Sequence, residues 1–182
     1  MLGVLGAFGL AAATGLNAYL PLLIVGLLAR STNLVALKPP WSALTHPVVL
    51  IVIGVLLLIE FTVDKIPAVD TVNDIIQTVF RPAAGAILFA ASGNVISNVS
   101  PVLAMVCGLL IAGGVHAAKT VARPAVTAGT LGIGNPVVSV AEDAVSGVTT
   151  LVAIVAPVLL GLLLLLAVWL FIRWYERKHP RA

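Results

Sequence analysis

Charge is what this chain has least of. Nine per cent of its 182 residues are charged, against about 25% in a typical soluble domain, too few to clothe a water-facing surface. Cysteine is nearly absent: Cys107 stands alone in an apolar run, which excludes an intrachain disulfide and a thiolate metal site. The signatures of nucleotide and hydrolytic chemistry are missing as well, since no P-loop, nucleophile elbow or HExxH occurs. The formal charge of +3 does not indicate nucleic acid, because four of the ten basic residues sit in the terminal RWYERKHPRA. No cofactor is implied.

What fills the chain instead is hydrocarbon. Sixty per cent of residues are hydrophobic and the mean hydropathy is +1.16, so the expected class is all-α, a polytopic helical membrane protein of about five ~20-residue spans. The pattern predicts one domain over 1–182 with spans near 2–29, 47–65, 82–96, 101–119 and 148–171. The first run lacks a basic n-region and reads as a span rather than a cleavable signal. Pro21 should kink it, with Asn17 one turn earlier. The prolines at Pro67, Pro124 and Pro136 read as structural breaks: Pro67 ends or bends the second span, and Pro124 ends the helical face before it. Residues 125–135, centred on TAGTLGIGN, read as a loop or unwound piece.

The charges gather in two connectors, 60–81 and 116–146. The first holds Glu60, Asp64, Lys65, Asp70, Asp74 and Arg81. Glu60 and Asp64 are four apart, as are Asp70 and Asp74, and such pairs share a helical face. The second holds His116, Lys119 and Arg123, whose spacing of three and four puts them on one face, followed by Glu142 and Asp143. Charge this dense beside lipid-length apolar runs is costly unless solvated or paired. Five spans bring both connectors out on the same side. The basic tail then falls on the cytoplasmic side, where Lys and Arg count six against four. Pro-Ala-Val occurs at Pro67 and at Pro124, each just after a basic residue, and suggests two parallel hairpin repeats, 47–96 and 101–171, after a first kinked helix.

Four stretches make the chain similar to a known family: TGLNAYLPLL, DKIPAVDTVND with the RPAAG that follows, HAAKTVARPA, and GNPVVSVAED. They occur in order over nearly the whole chain and resemble a family of small bacterial integral membrane proteins classed as a domain of unknown function. The resemblance implies that Asp64, Lys65, Pro67, Asp70, Arg81, His116, Lys119, Arg123, Pro136, Ser139, Glu142 and Asp143 matter together. It implies no activity.

The expected function is that of a small inner-membrane protein, transporter- or channel-like, binding a polar or ionic ligand between the connectors. Lys65, Arg81, His116, Lys119 and Arg123 would hold an anion or lipid headgroup. Glu60, Asp64, Asp70, Asp74, Glu142 and Asp143 would neutralise those bases or couple protons. Glu60 and Asp64 would suit a hard cation, but Lys65 opposes one, and no metal site is expected. Membrane lipids are the expected partners, and the small-residue faces of spans three and four allow a homodimer. Two alternatives stand beside this: a non-transporting scaffold whose charged connectors pair with a partner protein, and a lipid-modifying enzyme using His116 or Glu142.

Overall fold

The computed structural model describes residues 3–63, 67–92 and 100–178, apart from the side chains of 67–72, 74, 160, 164, 171 and 174–178. Among the described residues there are seven α-helices and no strand. They are α1 Val4–Leu16, α2 Tyr19–Ser31, α3 Pro47–Val63, α4 Pro67–Ala91, α5 Pro101–Thr130, α6 Asn135–Val155 and α7 Pro157–Lys178, with a 3-10 turn at Trp41–Thr45 before α3. Two of them, α5 and α6, are long and apolar enough to cross a membrane. The apolar segments in α1, α2, α3, α4 and α7 are shorter.

Helix α1 is the hub, packed against α4, α5 and α6. Its sequence, VLGAFGLAAATGL, explains how one helix takes so many neighbours: Gly6, Ala7, Gly9, Ala11, Ala13 and Gly15 are buried and hold the backbones close. A Cβ on Gly15 would lie 2.6 Å from the carbonyl oxygen of Ala112. One on Gly85 would lie 2.7 Å from that of Gly108, so α4 and α5 touch backbone to backbone at this level. Leu10, Leu22, Val25, Ile53, Leu57, Leu88 and Ile154 fill the main apolar core. Phe8 meets Phe89 edge to face, with centroids 5.2 Å apart, beside a smaller alanine cluster.

The apolar stretch 2–29 is two helices rather than one kinked helix, and the break falls at Asn17 rather than Pro21. Asn17 is extended (φ −143°, ψ 125°), and its Oδ1 accepts hydrogen bonds from the backbone N–H groups of Tyr19 (3.1 Å) and Leu20 (2.8 Å). It thus caps the start of α2. Pro21 lies in the first turn of that helix, where no intrahelical N–H is required. A proline that looks like a kink in an apolar run is here part of a helix start.

Three further expectations are corrected. Helix α5 runs through Pro124 to Thr130, so most of 125–135 is helical, and only 131–134 turn between α5 and α6. Leu131 (φ 51°) and Gly132 (φ 85°) make that turn, and the Gly132 N–H donates to the Thr127 carbonyl at 3.0 Å. Helix α4 likewise begins at Pro67 and passes through Pro82, so the third apolar run has no start of its own at 82. The stretch 148–171 is broken at Ala156, which is non-helical (φ −139°, ψ 62°). Pro157 disfavours helical geometry in the residue before it and opens α7. The repeat therefore fails as drawn: 47–96 holds α3 and α4, whereas 101–171 holds α5, α6 and most of α7. The turn expected around Asn94 and Asn98 lies outside the described residues.

Polarity runs inside out. Among the largest fully buried side chains are Arg81, Gln77, Glu60, Asn17, Thr14, Thr150, Ser139 and Ser146. Val48, Ile51, Val55, Leu58, Leu110 and Val158 are among many aliphatics left exposed.

Candidate functional site

Three helices present polar stripes at helical spacing. On α4 it is Asn73, Gln77 and Arg81, four residues apart; on α5, His116, Lys119 and Arg123; on α6, Ser139, Ser146 and Thr150, all buried, with Glu142 between them. Residues three and four apart lie one above the other on a helix, so each stripe is continuous. The stripe on α4 turns apolar after Arg81, at Ala84 and Leu88.

Arg81 is wholly enclosed. Its Nη2 donates to Glu60 Oε1 of α3 at 3.1 Å, and its Nη1 lies 3.0 Å from His116 Nδ1 of α5. The other ring nitrogen, His116 Nε2, is 3.1 Å from Thr78 Oγ1 of α4. Arginine has donors only, so Nδ1 must be the acceptor. The ring is then neutral with its proton on Nε2, which donates to Thr78. Gln77, one turn before Arg81, is buried, and its Oε1 accepts no hydrogen bond among the described residues.

One turn further along α5 a second knot forms. Lys119 Nζ and Arg123 Nη2 converge on a single atom, Glu142 Oε2 of α6, at 3.0 and 2.7 Å. The cations are almost fully covered, while the Glu142 side chain keeps 16% of its surface. Beyond Arg123, the Thr127 hydroxyl donates to Asn135 Oδ1 at 3.1 Å, tying α5 to the start of α6. Pro136 follows in the first turn of that helix.

The helix break joins the network. Asn17 Nδ2 donates to Asp143 Oδ1 at 2.9 Å, while the Ser146 hydroxyl donates to the Ala13 carbonyl at 2.9 Å. That carbonyl, in the last turn of α1, also accepts from the Asn17 backbone N–H at 3.2 Å. So α6 binds both sides of the break between α1 and α2.

Of the expected site residues, Glu60, Arg81 and His116 meet in one buried cluster, Lys119, Arg123 and Glu142 in a second, and Asp143 is part-buried against Asn17. Asp70 and Asp74 lie on α4, but their side chains are outside the described ones. Asp64 and Lys65 lie outside the described residues. Asn17, Thr78 and Ser146 also take part and Gln77 is buried one turn from Arg81, and none of the four is among the expected site residues. The four-residue spacing of Asn73, Gln77 and Arg81 was a readable signal for Gln77. Nothing local marked Asn17 as a partner of Asp143, 126 positions away. Among the described residues, no three His, Cys, Asp or Glu side chains form a group able to hold a metal ion.

A helical bundle with ion pairs in its centre and hydrocarbon outside defines the class to which this chain belongs in physical terms. The family described as a domain of unknown function (DUF4126) matches over residues 4–177, and the chain belongs to it. No curated protein and no solved structure matches.

Proposed function

We propose that this is a multi-pass inner-membrane protein whose buried charge network binds and moves a small anionic solute, a carboxylate or phosphate. The membrane part of this reading draws on the inverted polarity. Buried ions under an aliphatic exterior are costly in water and suit a bilayer, where ionisable residues face the bundle interior and mark solute or proton paths. Depth agrees with this. His116 lies fifteen positions into the 30-residue α5, about 22 Å along a helix of about 45 Å. Helices α1 and α2, of 13 residues each, are about 20 Å long apiece, and half-length helices meeting at a break are a feature of transporter sites. In this reading the basic C-terminal segment, which begins within α7 at Arg173, faces the cytoplasm.

One observation carries the anion: two cations, Lys119 and Arg123, converge on a single oxygen of Glu142. The Glu142 carboxylate occupies the position that a solute carboxylate or phosphate would take, and it is the most exposed member of the knot. An incoming anion displaces it, and Glu142 returns when the solute leaves. The scaffold alternative requires the charges to face outward, whereas Glu60, Arg81, Lys119 and Arg123 are buried. Native mass spectrometry of mildly solubilised protein beside Lys119→Ala tests the binding. A bound anion lost in the variant supports the reading, and the same retained mass in both samples overturns the site.

A further inference from the structure

We propose that His116 is the proton-accepting group of this site, and that proton occupancy of its Nδ1 releases Arg81. This rests on the transport reading above and names the coupling ion for it.

The geometry makes proton and guanidinium competitors for one lone pair. Arg81 Nη1 occupies the Nδ1 lone pair at 3.0 Å, and arginine keeps its own protons in proteins. The Nε2 proton is already committed to Thr78. A second proton can therefore enter the ring only at Nδ1, and only if Arg81 withdraws. Once it has entered, imidazolium and guanidinium repel each other at short range. No covalent bond is made or broken beyond the transferred N–H: the proton adds to the Nδ1 lone pair, and Arg81 remains cationic throughout. Glu60 Oε1 of α3 also holds Arg81, at 3.1 Å, so the guanidinium has a carboxylate to swing toward.

The surroundings limit what else could respond. From α4 the ring meets Arg81 and Thr78, and the other titratable groups of α4, Asp70 and Asp74, have side chains outside the described ones. On α5 itself Lys119 is three residues on and is paired with Glu142 of α6. Asp143 of α6 is engaged by Asn17. Helix α1, which also packs on α5, has no titratable residue between Val4 and Leu16. Glu60 of α3 is linked to the ring through Arg81. Imidazole is the side chain whose ordinary titration range spans physiological pH, and this one sits between α3–α4 and the anion-binding half of α5. Movement of Arg81 would therefore link proton entry to the helices that frame Lys119 and Arg123.

The test is ring nitrogen-15 NMR of protein in lipid bilayers, with His46→Gln and His179→Gln leaving one histidine. Near neutral pH the expected spectrum is a neutral ring with bare Nδ1 and protonated Nε2. Acidification should protonate Nδ1 and shift the Arg81 guanidinium signals over the same pH interval. An Nδ1–H tautomer at neutral pH overturns the proposal, as does a ring that protonates while the Arg81 signals stay fixed. The charge-neutral double variant Glu60→Gln/Arg81→Gln should lose the tautomer preference, and a spectrum unchanged in it also overturns the role of Arg81. Uptake of labelled phosphate or succinate into proteoliposomes addresses the underlying reading separately. A tautomer switch as described in protein that moves no anion counts against transport, not against the exchange at Nδ1.

Discussion

Arg81 and Glu60, contributed by α4 and α3, form an ion pair of 3.1 Å in which neither side chain reaches solvent. The same two helices also contribute to one apolar core, with Ile53 and Leu57 from α3 and Ala84 and Leu88 from α4. Each charge offsets the cost of burying the other.

Removing one partner should therefore cost far more than removing both. Glu60→Gln or Arg81→Met alone is expected to destabilise the fold by about 3–5 kcal/mol, the usual cost of an uncompensated buried charge. The double variant should recover most of that loss, which thermal unfolding in detergent would read as a restored Tm. Single and double variants that unfold at one temperature would show that the pair is not a unit.

The break at Asn17 does two jobs with one side chain. Its Oδ1 caps α2 through Tyr19 and Leu20, and its Nδ2 binds Asp143. Asn17→Ala loses the cap, worth about 0.5–2 kcal/mol, and also the hydrogen bond to Asp143. Asn17→Asp keeps a capping oxygen but sets a second carboxylate against Asp143. The Asp variant is expected to be rescued by Asp143→Asn, while the Ala variant is not. Equal rescue of both, measured by thermal unfolding, would remove the Asp143 contact from the account.

How much of this was open to a reader of the sequence varies residue by residue. The face shared by His116, Lys119 and Arg123 follows from spacing alone, and the helical class follows from hydrocarbon content. Helix ends were harder, because proline carries two meanings. Pro157 and Pro67 open helices, Pro82 and Pro124 sit inside them, and Pro21 lies in a first turn. A proline inside a helix is tolerated when neighbouring groups satisfy the freed carbonyl, which local sequence does not show. The two charged stretches, 60–81 and 116–146, are partly legible for a physical reason. The pattern leaves open whether such charge is solvated or paired, and Glu60, Arg81, Lys119 and Arg123 are paired across helices and buried. Pairing partners 21 and 19 positions apart cannot be matched by local pattern.

Glycine supplies a sharper contrast than any charge. Gly15→Ala would drive a Cβ to 2.6 Å from a backbone oxygen of α5, and overpacking of that kind costs about 1–3 kcal/mol. Gly114 and Gly54, also helical, have nothing within 4 Å of an added Cβ. Alanine at either should be neutral or stabilise by up to about 1 kcal/mol through helix propensity. Melting temperatures of the three variants should fall on opposite sides of the parent. A Gly15→Ala variant as stable as the parent would mean α1 does not sit this close to α5.

The anion reading makes a prediction of opposite signs. If Glu142 stands in for the solute at Lys119 and Arg123, its charge competes with every external anion. Glu142→Gln keeps the side-chain shape, removes the competitor and should tighten binding of phosphate or a small carboxylate by about tenfold, equivalent to about 1.4 kcal/mol. Lys119→Ala or Arg123→Ala removes a positive donor and should weaken the same binding by a similar or larger factor. Gln at 142 should also slow turnover in proteoliposomes, because the group that expels the solute is gone. Tighter binding with slower transport is what an intramolecular competitor produces. If Glu142→Gln instead weakens binding alongside Lys119→Ala, the carboxylate is a ligand contact or a structural partner, and the displacement mechanism is wrong. Isothermal titration in nanodiscs with phosphate, across wild type and the three variants, separates the two.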